Sequence, residues 1–164
     1  MSQPDLAWAE HRDLILIEGC DGAGKTTLAQ AIATLRHAPI RHSAITSPDV
    51  DLLTCYRAVL SRPGPLVLDR CFLSESVYGP LYRGRSRLTA AEVTQLIQQV
   101  TDRNGVFVHV TADPQVLHRR LLRRGEAAAP DVAELTRIVR AYDRAFDDLG
   151  TVALCIRIDT TPIG

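Results

Sequence analysis

The sequence predicts an α/β fold whose parallel sheet is covered by helices on both faces. Short apolar runs alternate with segments of helical periodicity along the chain. The runs are apolar throughout rather than alternately polar, which is typical of strands that are buried on both faces. The first run, Leu14-Ile15-Leu16-Ile17, stops at a glycine-rich stretch that leads directly into a helical pattern.

The strands are predicted from apolar runs that are bounded by polar or turn residues. We expect them at 14–17, 41–46, 65–69, 105–111 and 152–158. Ligands of a parallel sheet bind beyond the carboxyl ends of its strands. The polar residues that follow Ile17 and Leu68 are therefore expected at a ligand-binding edge.

The helices are predicted from apolar periodicity and from capping residues. We expect them at 26–36, 49–61, 89–103, 113–124 and 130–149. Ser47 or Asp49 is expected to cap the second helix, with Pro48 near its first turn. Thr89 and Glu92 form a capping-box pattern at the start of the third.

Composition predicts a single domain, residues 1–164, of an ordinary water-soluble type. The chain has 46% hydrophobic and 23% charged residues. No apolar run is long enough to span a membrane, and the first residues lack an apolar signal core, so we expect a cytoplasmic protein. The net charge of +0 gives no overall attraction to nucleic acid. The four cysteines form no Cys-x-x-Cys pair, which disfavours a zinc or redox site.

The glycine-rich stretch matches the phosphate-binding P-loop pattern, Gly-x-x-x-x-Gly-Lys-Thr, between a predicted strand and a predicted helix. Its backbone amides and the following helix terminus are expected to bind the phosphates of ATP. The cofactor-binding candidates are Gly19, Asp21, Gly22, Ala23, Gly24, Lys25, Thr26 and Thr27. Lys25 is the only lysine in the chain, beside 18 arginines, which indicates a position where a compact charge is needed for the β/γ-phosphates. The Thr26 hydroxyl is a candidate Mg²⁺ ligand.

A second motif, Asp69-Arg70, lies at the end of the third predicted strand. Asp69 is placed where a carboxylate would coordinate Mg²⁺, directly or through water. Arg70 is a planar bidentate donor that suits a phosphate. Phosphoryl transfer depends on positioning and on neutralising charge, so this pair and Lys25 are candidate catalytic residues.

Ile17 to Ala29 (IEGCDGAGKTTLA) closely resembles the first motif of thymidylate kinases, and Asp69 to Gly79 (DRCFLSESVYG) is similar to the second. The segment from Ala112 to Gly125 is similar to the lead-in to the mobile lid of that family, which predicts a lid at about 119–131. The resemblance implies a P-loop kinase fold, a three-layer sandwich with a five-stranded parallel sheet. It also implies ATP and Mg²⁺ as cofactors and a pyrimidine deoxynucleotide as acceptor.

Several residue roles are implied by the same resemblance. Arg70 would hold the acceptor phosphate, and Asp21 would face the acceptor sugar. Ser74 and Tyr78 would line the nucleoside pocket, and Glu75 in the same segment is a further substrate-binding candidate. Transition-state charge would come from the lid side, supplied by Arg119, Arg120, Arg123 or Arg124. These arginines form two i,i+4 pairs, so at most one pair can face the site well; Arg120 and Arg124 are our candidates.

The sequence leaves the acceptor open. A phosphate acceptor mainly needs an arginine, whereas a hydroxyl acceptor benefits from a nearby carboxylate such as Asp69, Asp21, Glu18 or Glu75. The first hypothesis is therefore a kinase of small pyrimidine nucleotides or nucleosides. The second is a kinase of a hydroxymethyl-modified pyrimidine in DNA, whose backbone would be bound by a run of arginines, Arg83, Arg85 and Arg87. A regulatory P-loop ATPase is the third, and a homodimer stays open.

Overall fold

A computed structural model describes residues 5–43, 47–126 and 128–162. Its centre is a five-stranded parallel sheet in the order β2-β3-β1-β4-β5. The strands are β1 (Leu14–Glu18), β2 (Ile40–His42), β3 (Leu66–Asp69), β4 (Gly105–Thr111) and β5 (Cys155–Asp159). The three central strands, β3, β1 and β4, are buried along their whole length, as their apolar runs predicted.

Helices cover both faces of the sheet. They are α1 (Lys25–Arg36), α2 (Leu52–Leu60), α3 (Phe72–Arg83), α4 (Ala90–Asp102), α5 (Pro114–Arg123) and α6 (Val132–Leu149). Asp69 contacts Thr26 of α1, whereas Glu18 contacts Ser74 of α3 and Tyr142 of α6. Asp69 pairs in register with Ile17, the residue before Glu18, so the two carboxylates point to opposite faces. The predicted fold class, an α/β P-loop kinase sandwich with a five-stranded parallel sheet, is confirmed.

Helix α3 was not predicted. Gly79 and Pro80 lie inside it, and a Gly-Pro pair normally ends a helix. The helix nevertheless continues to Arg83, the first residue of the arginine run. Gly79 is where the following turn packs against the helix, since a Cβ there would lie 2.8 Å from the carbonyl oxygen of Arg85.

Most predicted elements lie within two residues of their predicted bounds, whereas three elements, β2, α2 and β5, differ more. Strand β2 begins at Ile40 and ends at His42; residues 44–46 of the predicted strand lie outside the described residues. Helix α2 begins later than expected and is capped by Asp51, whose side chain accepts from the backbone N–H of Thr54, and not by Ser47 or Asp49. Strand β5 begins at Cys155, because residues 152 and 153 belong to the turn after α6.

Candidate active site

The P-loop joins the end of β1 to the start of α1. Gly19 must be a glycine, because a Cβ at its φ of 145° would lie 2.0 Å from the carbonyl oxygen of Val110 on β4. Gly24, with a φ of 99°, is the left-handed residue from which α1 starts. The loop therefore delivers the N-terminus of a twelve-residue helix to the carboxyl edge of the sheet, where such a terminus binds anions.

Lys25 is folded into the loop rather than extended into solvent. Its Nζ donates to the carbonyl oxygen of Cys20 at 2.8 Å and lies 3.8 Å from Asp21 Oδ1. The side chain is 6% exposed. Burial lowers the pKa of Lys25, and the neighbouring Arg70 guanidinium lowers it further. A phosphate that enters the loop would replace the carbonyl as the partner of this ammonium.

Asp69 lies directly across from the first turn of α1. Its Oδ2 accepts from the Thr26 hydroxyl at 2.7 Å and lies 3.1 Å from His42 Nδ1. In the described ranges, no group of three His, Cys, Asp or Glu side chains could hold a metal ion. Mg²⁺ is commonly bound by one or two carboxylates together with substrate phosphates, and the Thr26 and Asp69 oxygens fit that arrangement. His42 was not among the predicted site residues.

Arg70 adopts a backbone conformation that is unusual for a side-chain-bearing residue. Its φ is 72°, in the left-handed region that costs a residue with a Cβ about 1 kcal/mol. The guanidinium donates to Asp21 and lies 5.8 Å from the ring centroid of Tyr78. This backbone conformation directs the Arg70 side chain back toward the P-loop, where it contacts Asp21. Strained residues of this kind are often found at functional sites.

These groups line one polar cleft of about 220 Å³. The cleft brings together nine predicted site residues that come from three segments of the chain. The residues are Asp21, Gly22, Gly24, Lys25, Thr26, Thr27, Asp69, Arg70 and Arg124. His42 and Ser43, at the end of β2, complete its wall. Sequence reasoning missed these two because the register of β2 against β3 puts them beside Asp69.

The arginines of α5 divide into two pairs. Arg120 donates to the carbonyl oxygens of Gly22 and Thr160 and to the Thr160 hydroxyl, at 2.7 to 3.1 Å. Arg124, the residue after α5, lines the polar cleft from an exposed position, whereas Arg119 and Arg123, which are also exposed, do not line it. The pair that we selected, Arg120 and Arg124, is thus the pair next to the P-loop. Ala127, within the predicted lid, lies outside the described residues.

A large groove of about 1190 Å³ runs along the outer side of the P-loop. It is bounded by the loop glycines, the outer face of α1, the start of the described chain, and the arginines Arg120 and Arg124. Thr160 closes one side, where its hydroxyl donates to the carbonyl oxygen of Ala23 at 2.9 Å. This contact, which joins the segment after β5 to the P-loop, was not predicted.

Two of the predicted substrate-binding residues have their side chains inside the fold. Ser74 donates through its hydroxyl to Glu18 at 2.6 Å. Glu75 accepts from the Arg83 guanidinium and from the backbone N–H of Arg87, and so fixes the turn after α3. Tyr78 lies beside Arg70 but does not line the polar cleft, and its hydroxyl is buried.

A second, apolar cleft of about 180 Å³ adjoins the polar one. His42, Ser43 and Arg70 belong to both, so the two clefts are continuous. The apolar lining comes mainly from α2 and consists of Leu52, Cys55, Tyr56, Val59 and Leu68. The Tyr56 hydroxyl is 3.2 Å from Ser43 Oγ. This α2 cleft was not predicted, because it forms only when α2 packs beside the carboxyl end of β2.

No family model and no curated protein matches the sequence, but solved structures match the fold. The YorR protein from Bacillus subtilis, in complex with phosphorylated GDP, gives a TM-score of 0.79 at 22% identity, over 90% of this chain and 85% of that chain. Deoxyadenosine kinase from M. mycoides with bound dATP gives 0.63 at 14% identity, over 89% and 90%. A gluconokinase from Sinorhizobium meliloti gives 0.56 at 19% identity, over 93% and 86%.

The fold is that of the P-loop kinases. The thymidylate kinase resemblance, which the motifs carry, stays a prediction at this level of identity. Within the P-loop kinase fold, the polar cleft has the position that the motifs indicated, at the carboxyl edge of the central strands.

The arginine run after α3 is largely engaged in the fold. Arg83 pairs with Glu75, and the Arg87 guanidinium donates to the carbonyl oxygens of Ser47, Pro48 and Val50. These contacts hold the turn after α3 against the segment before α2. Among the described residues, no helix is both long and apolar enough to cross a membrane.

Proposed function

We propose that the protein transfers a phosphoryl group from ATP to a pyrimidine deoxynucleoside monophosphate or nucleoside, with the monophosphate preferred. One observation carries the proposal: Lys25 and Arg70 line the same cleft. Lys25 is suited to the phosphates of a donor and Arg70 to the phosphate of an acceptor. Two structures that share the fold hold a nucleotide, phosphorylated GDP in YorR and dATP in deoxyadenosine kinase.

The donor half of the proposed site is the P-loop and the groove beside it. The residues from Gly19 to Thr27 would hold the triphosphate, and the groove would take the adenosine. Thr26 and Asp69 would hold Mg²⁺, which would neutralise charge on the β- and γ-phosphates. Arg120 and Arg124 border this groove and would supply positive charge from the lid side.

The acceptor half consists of Arg70, Tyr78 and the α2 cleft. Arg70 would bind the acceptor phosphate and hold it in line with the donor. The α2 cleft is apolar, opens beside Arg70 and has Tyr56 in its wall, so it suits the nucleobase. Asp21 would release Arg70 to the acceptor phosphate and face the sugar. In this proposal Ser74 and Glu75 do not contact the acceptor; Ser74 donates to Glu18, and Glu75 holds the turn after α3.

The distribution of carboxylates favours a phosphate acceptor over a hydroxyl. Glu18 is fully buried and Glu75 is held by the turn after α3, so neither is free to take a proton from an acceptor. Asp69 is bonded to Thr26, and Asp21 is paired with Arg70. A phosphate needs no such base, because it is already an oxyanion at neutral pH.

The test is an acceptor panel with labelled ATP. It contains dTMP, other deoxynucleotides, thymidine, and DNA with and without hydroxymethyl pyrimidines. We expect transfer to at least one free pyrimidine nucleotide, and no turnover of any free acceptor would contradict the proposal. Transfer to modified DNA alone would favour the DNA hypothesis. The contacts of Arg83 and Arg87 within the fold do not support that hypothesis, because it needs these arginines to bind the DNA backbone. ATP hydrolysis that no acceptor affects would point to a regulatory ATPase.

Arg70→Ala tests the acceptor role within this panel. We expect kcat/KM for dTMP to fall about a hundredfold or more, while the KM for ATP stays close to the wild-type value. Arg70→Lys keeps the charge but loses the bidentate geometry, and should recover only part of the activity. Arg119→Ala is the control, because it removes an exposed arginine. If Arg70→Ala lowered kcat/KM equally for ATP and for dTMP, the assignment would be refuted.

A further inference from the structure

Glu18, the last residue of β1, is a buried carboxylate that the proposed transfer does not use. Its exposed fraction is 0%, although it directly precedes the P-loop. Burial raises the pKa of Glu18, and the hydrogen bond from Ser74 opposes this effect. A carboxylate is costly to bury unless its oxygens are satisfied by donors, so its partners explain its presence.

The partners of Glu18 lie mainly in the first turn of α3. Oε1 accepts from the backbone N–H groups of Cys71 at 2.7 Å and Ser74 at 3.1 Å. Oε2 accepts from the Ser74 hydroxyl at 2.6 Å and from the Tyr142 hydroxyl at 3.4 Å. The carboxylate thus satisfies donors at the start of a helix that has no side-chain cap of its own.

These bonds fix the backbone on the carboxyl side of Arg70. On the other side, the Arg70 N–H donates to the carbonyl oxygen of Ile17 at 2.9 Å. Arg70 is therefore held between two neighbouring residues of β1, through its own amide and through that of Cys71. A strained left-handed residue persists only where its surroundings determine it, and here β1 supplies both contacts.

We propose that Glu18 is a positioning residue for Arg70. By holding the first turn of α3, Glu18 keeps the Arg70 backbone left-handed and the Arg70 guanidinium directed at the polar cleft. The effect on turnover rests on the proposed function, whereas the effect on the Arg70 backbone does not. The residue that leads into the donor loop would then also set the geometry of the acceptor arginine.

The kinetic test compares Glu18→Gln, Glu18→Ala and Ser74→Ala. We expect the KM for dTMP to rise about threefold in Glu18→Gln and Ser74→Ala, and about tenfold or more in Glu18→Ala, which leaves buried donors unpaired. The KM for ATP should stay within about twofold in all three. Thr136→Ala is the matched control, because it removes a partly buried hydroxyl on α6 that bonds only its own helix.

Three kinetic outcomes would overturn the proposal. Equal increases in the KM for ATP and for dTMP would mean that Glu18 only stabilises the fold. A large loss of kcat in Glu18→Gln at an unchanged KM for dTMP would mean that Glu18 transfers a proton, since glutamine keeps the shape of the side chain and cannot. If Glu18→Ala does not fold, Ser74→Ala decides, and a wild-type KM for dTMP in that variant overturns the proposal.

Crystal structures provide a readout that is independent of activity. We expect a positive φ at Arg70 in the wild type and its loss in Glu18→Ala. A positive φ in both would refute the positioning role, even if dTMP is phosphorylated. If no acceptor is phosphorylated, the proposed function fails, but the comparison of the Arg70 backbone still decides the role of Glu18.

Discussion

The surroundings of Lys25 explain why its position excludes arginine. Its ammonium lies inside the loop, 2.8 Å from a backbone carbonyl, and the side chain is almost fully buried. A guanidinium is wider and planar, so it would not fit where a compact ammonium contacts Cys20 and Asp21. The lone lysine of the chain thus occupies a place that the loop backbone shapes around it.

We expect Lys25→Ala to lower kcat by about a hundredfold or more, because a charge at the β/γ-phosphates would be lost. Lys25→Arg keeps the charge and should be nearly as inactive. The measurement is labelled transfer from ATP at saturating dTMP, with circular dichroism to verify folding. Near-normal activity in Lys25→Arg would show that charge alone is sufficient at this position.

Residue types and spacing were enough to predict the positions in the P-loop and the Asp69-Arg70 pair. They could not predict that Arg70 has a positive φ, because that conformation depends on contacts with β1. We selected Arg120 over Arg119, but helical spacing alone gives no reason for that choice, since both are acceptable on a helix surface. The docking of α5 against the P-loop decides between them.

Two helix caps allow the contribution of a single helix, α2, to be tested. Asp51 caps α2, which lines the apolar cleft, and Thr89 caps α4 through a capping box with Glu92. Helix α4 packs against α2 but does not line either cleft by the residues described. The same kind of substitution therefore separates loss of stability from loss of acceptor binding.

We expect Asp51→Ala to lower the urea midpoint of unfolding and to raise the KM for dTMP a few-fold, because fraying of α2 disturbs the cleft. Thr89→Ala should cost about 1 kcal/mol of stability with no change in that KM. Urea unfolding and initial rates measure both. Equal KM increases in the two variants would argue against the α2 cleft as the nucleobase site.

Among the elements, α3 escaped prediction, β4 lies at its predicted bounds, and the other elements have ends that are shifted by one or more residues. The Gly79-Pro80 pair argues for a break in any local reading of the sequence. Helix α3 can contain this pair because it packs along α6, which is distant in the chain. The same holds for β2, a three-residue edge strand whose length is set by its pairing with β3.

For the whole molecule, acid stability should depend on His109. This residue of β4 is buried between Tyr142 and Phe146, with Asp143 Oδ1 at 3.9 Å and Arg157 nearby. Burial lowers its pKa from 6.5 to about 4, and the Arg157 charge contributes. Below about pH 6.5 the unfolded chain binds a proton that the folded chain refuses, so stability falls as the pH falls.

The expected loss from this one group is about 2 kcal/mol between pH 8 and pH 5. His109→Phe keeps a stacked ring without the titration, and should remove that part of the slope. Urea unfolding at several pH values measures both proteins. Identical slopes would mean that His109 remains accessible to protons in the folded state.

The central position of β1 has a consequence for the order of folding. All strand pairs in the described sheet are parallel, so none can form as a local hairpin. The P-loop acquires its shape only when β1 has β3 on one side and β4 on the other, which requires segments far apart in the chain to meet. Nucleotide binding should therefore appear late in folding, and a bound nucleotide should select completed chains from partly assembled ones.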